Sequence, residues 1–420
     1  MPSDVHNASQ LVADPPKSGI KVFAAGALAL AALYVGNNLP SALYGVFRED
    51  FGFSPLTQTL LYATAVAVIL PGLLVFGPLS DVVGRRLPMV LGLLVFAAGD
   101  ALFVVADDVG WLFAARVAQG LGMGTATAAA QATLSDSVGG FVRDPVQAQR
   151  LAAAVATACI TFGLALGPLL GGVLGAYGPA PRQLAFIVHL GLVVLAAALA
   201  LRAPGRAQAE GGRWHPARIA IPPVVRRTFT IAASSSFLAW AVLGMFSAVL
   251  PSLVGDLLGT RNLALTASAL TLMIGTSGVV QLVARRLAPL AAQAWGLGAL
   301  TLGLALLVAA GSAGSELLTV LAMLSTGAGH GLVYSGALHE IMVATPSADR
   351  GSVVGAYFIV SYTGLGGPVV GVGLLAVSLG LESATRVVAL VIMALCVVLI
   401  PSVLNEIRRR ARSAVTESWV

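Results

Sequence analysis

The stretch "GPLSDVVGRR", residues 77–86, puts Asp81, Arg85 and Arg86 within six consecutive positions of a chain that is 57% hydrophobic and only 10% charged. It is flanked by "LLYATAVAVILPGLLVF" before and "LPMVLGLLVFAAG" after. Apolar runs approaching 20 residues match the roughly 30 Å of hydrocarbon that a helix must cross. A charged turn between two such runs marks a place where a membrane-spanning chain surfaces into water. Gly77 and Gly84 let the backbone leave one helix and turn tightly into the next.

The rest of the chain repeats this alternation. A mean hydropathy of +0.90 over 420 residues excludes a soluble globule. Continuous apolar runs, rather than alternating ones, exclude a barrel and leave only self-satisfied helices. The 48 glycines suit close helix contact in lipid. The two cysteines, Cys159 and Cys396, both sit in apolar segments, so neither a disulfide framework nor a structural zinc site is expected. The first 19 residues are polar, with Asp4 and Asp14, and lack the plan of a cleaved signal.

Twelve segments are predicted as helices: 21–46, 57–79, 87–106, 110–134, 150–176, 183–202, 228–255, 263–283, 287–308, 315–338, 351–378 and 384–404. The expected organisation is an N-terminal tail (1–19), a six-helix bundle (20–202), a polar linker (203–227), a second six-helix bundle (228–404) and a C-terminal tail (405–420). An even number of crossings puts both termini on one side. With that side cytoplasmic, nineteen of the 24 Lys and Arg residues lie inside and four, Arg48, Arg182, Arg261 and Arg386, outside. The positive-inside rule therefore fixes the orientation, and it accounts for the net charge of +6 without nucleic acid.

The halves echo each other. "GLALGPLLGG" at 163–172 returns as "GLGGPVVGVG" at 364–373, Arg85-Arg86 return as Arg285-Arg286, and "LPS" at 39–41 recurs at 250–252. Three echoes in corresponding segments argue for a duplicated unit. Such duplication places a binding site between the halves near the bilayer midplane.

These features resemble the major facilitator superfamily, and within it the twelve-helix drug–proton antiporters. The loop "GPLSDVVGRR" matches the family's motif between segments 2 and 3, although Val82 stands where a basic residue is usual. The resemblance gives Asp81, Gly84 and Arg85 a gating role, with Asp81 latching near the start of segment 11. "LFAARVAQGLG", residues 112–122, matches the segment-4 motif through Leu112, Arg116, Gln119, Gly120 and Gly122. The resemblance assigns Arg116 to proton coupling. Arg116 also begins a face continued by Gly120, Met123, Thr127 and Gln131. An arginine inside a membrane helix is expensive unless paired or hydrated. Asp100 lies at similar depth on the antiparallel segment 3, so a direct Asp100–Arg116 pair is one reading and snorkelling of Arg116 to the surface the other. "GLALGPLLGG" fits the antiporter motif at Gly163, Gly167, Pro168, Gly171 and Gly172. Its glycines at i, i+4 and i+8 are expected to form a smooth face packed across the halves, with Pro168 kinking the helix.

In this family segments 1, 4, 7 and 10 line the cavity, which nominates Asn37, Ser41, Tyr44, Met123, Trp240, His330 and Tyr334 for the substrate. An aromatic lining with a few polar groups suits bulky, moderately apolar solutes. Segment 1 lacks the acid that many relatives carry. The titratable candidates are then Asp100 as proton carrier, His330 as second choice, and His189, for which a helix–helix hydrogen bond is preferred. The expected function is export of small drug-like compounds in exchange for protons, with import or facilitated entry of a nutrient as the alternative. No cofactor or metal is expected, and no nucleophile–base constellation points to an enzyme. The protein is expected to be a monomer in a bacterial cytoplasmic membrane, an arginine-to-lysine ratio of 22 to 2 suggesting a GC-rich genome.

Overall fold

The computed structural model describes residues 17–202, 214, 216 and 219–417. Residues 1–16 of the expected tail, most of the linker between 203 and 218, and residues 418–420 lie outside the described residues.

Among the described residues every regular element is helical. The first crossing is α1 (Lys17–Asn38), which passes through a 3-10 turn, Leu39–Ala42, into the short α2 (Tyr44–Phe51). Next come α3 (Pro55–Phe76), the five-residue α4 (Leu79–Val83), α5 (Arg86–Val105), α6 (Val109–Ser137), α7 (Pro145–Tyr177) and α8 (Leu184–Arg202). The second half holds α9 (Arg226–Leu258), α10 (Leu263–Val283), α11 (Pro289–Ala313), α12 (Glu316–Ala344), α13 (Arg350–Leu379) and α14 (Leu381–Glu417). The twelve predicted segments correspond to the twelve long helices, α1, α3 and α5 to α14. Eleven of these are long and apolar enough to cross a membrane; the twelfth, α6, is diluted by the polar residues of the Arg116 motif. Helix starts are set by side-chain caps: Ser54, Asp108, Asp144, Asn262 and Ser315 accept backbone N–H groups at the starts of α3, α6, α7, α10 and α12. Each such cap contributes about 1 kcal/mol.

The end of α14 corrects the sequence reading. A tail was expected from residue 405, yet the helix runs to Glu417. The reason is Glu406, fully buried, whose carboxylate receives Arg409 at 2.8 Å, Arg410 at 3.0 Å and, from the start of α9, Arg227 at 2.7 Å. Arg410 also reaches Glu340 of α12 at 2.7 Å. These pairs tie three helices together beyond the apolar span.

Packing follows a duplicated plan. Within the first half α1 packs on α6, α7 and α8; within the second α9 packs on α12, α13 and α14. The pairs α5–α6, α5–α8 and α3–α6 are matched by α11–α12, α11–α14 and α10–α12. The two main contacts between halves, α3–α13 and α7–α10, exchange into each other under the same correspondence. The halves are thus related by an approximate twofold relation.

The contacts across the halves lie from mid-helix to the face opposite the chain termini. Gln58 at the start of α3 donates to the Ala248 carbonyl at 2.8 Å, and Gly373 of α13 abuts Leu56 and Thr59. Further in, Gly366 abuts Val66 and Thr271 donates to the Ala165 carbonyl at 3.0 Å. Here Pro251 and Ser252 of α9, in the second "LPS" echo, border a cleft of about 440 Å³ whose other wall includes Ala42, at the end of the 3-10 turn, and Gly45. On the terminal face the linker makes the described connections. Trp214 donates to the Val75 carbonyl at 3.1 Å, and Ala220 exchanges two 2.8 Å hydrogen bonds with Ser352.

The glycine motif of α7 is also corrected. Gly163, Gly167 and Gly171 do not face the other half. They pack on α1, where added Cβ atoms would meet Tyr34, Ala31 and the Leu39 backbone. The crossing to the second half is made one position on, by Gly172 against Leu263 and Ala267 of α10. A 3.6-residue helix turns consecutive positions by 100°, so Gly171 and Gly172 serve two different neighbours. Pro168 lies inside α7, beside the Gly167 contact.

Candidate functional site

Four buried polar side chains from three helices of the first half form one chain of hydrogen bonds. Arg116 on α6 is 1% exposed, so it does not snorkel to the surface. Its Nη1 donates to Gln119 Oε1 at 2.8 Å and to the Asn37 carbonyl of α1 at 3.1 Å. Gln119 Nε2 donates to Asp100 Oδ1 of α5 at 2.8 Å. The other carboxylate oxygen, Asp100 Oδ2, lies 2.7 Å from His189 Nδ1 of α8, and His189 Nε2 lies 2.9 Å from the Ala32 carbonyl of α1. Asp100 and His189 are both fully buried.

The expected direct Asp100–Arg116 pair is therefore not what forms. Gln119 stands between the two, since it lies three residues from Arg116 on the same helical face and reaches both. Its amide orientation is fixed by its neighbours, because a guanidinium only donates and must meet the amide oxygen. Gly99, beside Asp100, gives the space: a Cβ there would come within 2.7 Å of the Gln119 side chain. His189, read from sequence as a helix–helix hydrogen bond, does bridge α8 to α1, but its other nitrogen meets the carboxylate. Sequence could offer no signal for this, since nothing in a helical pattern tells which faces of α5 and α8 meet.

A second group lies between the halves. Trp240 of α9, Tyr334 and His330 of α12 and Tyr362 of α13 cluster, with ring centroids 5.8 Å (Trp240–Tyr334), 6.3 Å (Trp240–His330) and 5.1 Å (Trp240–Tyr362) apart. Tyr34 of α1 reaches Tyr362 and Tyr334 from the first half. Sequence singled out Trp240, His330 and Tyr334 and missed Tyr34 and Tyr362. His330 Nδ1 is 2.8 Å from Ser277 Oγ, and its Nε2, like Trp240 Nε1, has no hydrogen-bond partner among the described residues. Two buried polar atoms left open beside aromatic rings suit a ligand that offers an acceptor.

The remaining nominees are scattered. Tyr44 is fully buried beside Arg116, its hydroxyl unpartnered among the described residues. Asn37 contributes its carbonyl, while Ser41 donates to Asn38 Oδ1 at 3.0 Å and is occupied by its own helix. Met123 lies in the apolar core. In the opening loop Gly84 has φ +85°, which an L side chain rarely adopts, and ends α4. Arg85 pairs with Asp81 and, at 3.2 Å, with Asp136 of α6. The described partner of Asp81 is thus Arg85; at the start of α13 Ser352 is held by Ala220 instead.

Comparison with known proteins agrees with this architecture. The sequence profile of the Major Facilitator Superfamily matches residues 26–371, and the chain belongs to that family. Its eleven helices of membrane-spanning length and apolarity among the described residues, together with this family, make it a multi-pass membrane protein. Over parts of its length it is similar to an MFS efflux transporter, aclA, of Aspergillus oryzae (30% identity over 42% of this chain and 30% of that protein). It is similar also to the chloramphenicol resistance protein CraA of Acinetobacter baumannii (30%, over 35% of this chain and 33% of that one) and to the human vesicular acetylcholine transporter (34%, over 32% and 25%). The aligned part spans only a quarter to a third of each of these relatives. In fold the chain is similar to a bacterial homologue of the human lysosomal transporter Spinster, in an inward-facing, unoccupied conformation. That likeness has a TM-score of 0.73 at 14% identity and covers 93% of this chain and 98% of that one.

Proposed function

We propose that this protein exports small, moderately apolar compounds by alternating access, in exchange for protons. The observation that carries the reading is the buried chain from Arg116 through Gln119 to Asp100, one helix away from an aromatic group shared by both halves. A fixed cation and a titratable carboxyl in a dry interior respond to one proton with a full change of charge balance, which biases one packing of the halves over another. The aromatic group with its open Trp240 and His330 nitrogens receives the solute. The names of two relatives, an efflux transporter and a chloramphenicol resistance protein, favour export, as does the α7 glycine motif.

The inter-half contacts of Gln58 with Ala248, Gly373 with Thr59 and Gly172 with Leu263 lie toward the face opposite the termini, which supports a chamber that opens toward the terminal face, read from the arginine distribution as cytoplasmic. Asp81 and Arg85 sit at this opening and latch it in the opposite state. The test uses everted membrane vesicles and a panel of toxic compounds. Substrate-dependent proton movement, together with greater sensitivity of a deletion strain to the same compounds, is the expected result. Slower growth of that strain on a limiting nutrient, without altered sensitivity, would instead favour uptake.

A further inference from the structure

We infer that Asp100 and His189 together form the proton-binding site, that the pair as seen here holds one shared proton, and that its loss is passed through Gln119 to Arg116. The inference rests on the transport reading above for its purpose, though not for its geometry.

The argument is a count of hydrogens. His189 Nε2 lies 2.9 Å from the Ala32 carbonyl, which can only accept, so Nε2 carries a hydrogen. His189 Nδ1 and Asp100 Oδ2 are 2.7 Å apart. Two bare lone pairs do not sit at that distance, so a second hydrogen lies between them, on the ring or on the carboxyl. Moving the ring hydrogen to Nδ1 only shifts the clash to the Ala32 carbonyl. The arrangement therefore contains one proton more than a neutral histidine beside a carboxylate.

The surroundings of Arg116 agree with that count. With its proton the Asp100–His189 pair is neutral overall, and a neutral pair makes no claim on a counter-ion. Arg116 is bound by two neutral acceptors, the Asn37 carbonyl and Gln119 Oε1, and its Nε is unpartnered among the described residues. When the proton leaves to water, the pair becomes anionic and its lone pairs face one another. The carboxylate then moves off His189 toward the open side of Arg116, and Gln119 must turn or yield.

The titratable and charged groups facing the pair are few. α6 presents Arg116, and Tyr44 of α2 and Tyr62 of α3 lie in its electrostatic reach. α1 offers the carbonyls of Ala32 and Asn37. α7, which also packs on α8, carries no carboxylate, histidine or lysine, and its Arg150 lies at the terminal end. The pair is closed off on both sides. One turn toward the opposite face, Phe103 and Phe186 stack at 4.3 Å with Phe47 beside them; on the other side Phe96 meets the His189 ring edge at 5.9 Å.

The experiment uses the full chain labelled with 15N-histidine in detergent at neutral pH. His189 is identified by its loss in His189→Gln or, should that variant not fold, as the signal left when the other four histidines are replaced. The expected spectrum has a protonated Nε2 and an Nδ1 in a strong, shared hydrogen bond; a bare Nδ1 in the wild-type protein would overturn the inference. In proteoliposomes, proton-driven accumulation of a compound that the wild type carries should be lost in His189→Gln and in Asp100→Asn. Undiminished accumulation in His189→Gln would overturn it too. A shared proton with no proton-driven movement of any compound by the wild type would leave this site standing and refute the transport reading instead.

Discussion

Two buried glutamines offer the same substitution with opposite expected signs. Gln119 and Gln293 are both essentially unexposed, at 1% and 0%. Gln119 makes two 2.8 Å hydrogen bonds, to Arg116 and Asp100, whereas neither side-chain polar atom of Gln293 on α11 has a partner among the described residues. Replacing either by Leu adds a similar amount of buried apolar surface, so that contribution cancels in the comparison. Gln119→Leu then loses two bonds to ionisable groups, about 1.5–3 kcal/mol each on values from soluble proteins. Interhelical bonds in membranes, such as the one from Gln119 to Asp100, average nearer 0.6 kcal/mol, with about 1.7 as a maximum. The loss is thus bracketed at roughly 1–6 kcal/mol, with the upper part favoured because Arg116 is left in a dry interior. Gln293→Leu removes an amide buried at a penalty of about 1–3 kcal/mol and should stabilise. Thermal unfolding in detergent, followed by labelling of the buried Cys396 thiol with a fluorogenic maleimide, measures both. The expected order of melting temperatures is Gln293→Leu, wild type, Gln119→Leu. A Gln119→Leu protein that melts at or above Gln293→Leu would refute the claim that the polar chain holds this bundle.

Gly124→Ala should destabilise by about 1–3 kcal/mol, the usual range for overpacking, because its Cβ would lie 2.8 Å from Gly72 Cα and 2.9 Å from the Ile69 carbonyl; Gly367→Ala, with nothing within 4 Å, is the neutral control in the same melting assay. Glu406→Gln leaves Arg227, Arg409 and Arg410 without their shared carboxylate. Because removing one partner of a buried pair costs about 3–5 kcal/mol, discounted here for three half-exposed arginines, a clear fall in melting temperature and faster protease cleavage after Arg409 and Arg410 are expected.

The fold was legible because lipid imposes it. A run such as 263–283 can only be a helix, and the observed α10 has those same ends. The duplicated plan was legible from echoes as short as Gly167-Pro168 and Gly367-Pro368, since close crossings require small residues at fixed places. What sequence does not carry is rotation about a helix axis. For that reason the turn length sets Asp100 and Arg116 at one depth but leaves open whether they pair or Arg116 snorkels, and neither reading has Gln119 between them. The α7 glycines were likewise given to the wrong neighbour, and His189 was passed over although it completes the chain. Tyr34 and Tyr362 were missed for a related reason: an aromatic residue in an apolar run looks the same whether it faces lipid or a partner half.

One helix connects the two groups. The carbonyls of Ala32 and Asn37 on α1 receive His189 and Arg116, while Tyr34 on the same helix reaches Tyr362 and Tyr334 of the second half. α1 is also the helix against which Gly163, Gly167 and Gly171 pack, so closely that an added Cβ would meet its backbone, and a shift of α1 must therefore be felt by α7. Helix α1 is interrupted at Leu39–Ala42, where Pro40 ends the regular hydrogen bonding, and this break lies beside the cleft between the halves on the opposite face. A change in the hydrogen bonds that Arg116 and His189 make to α1 would act on the helix that carries Tyr34, a member of the aromatic group proposed to receive the solute. On the proposals above, occupancy of the aromatic group and protonation of the Asp100–His189 pair would both act through α1, which is the physical requirement for coupling two sites that never touch.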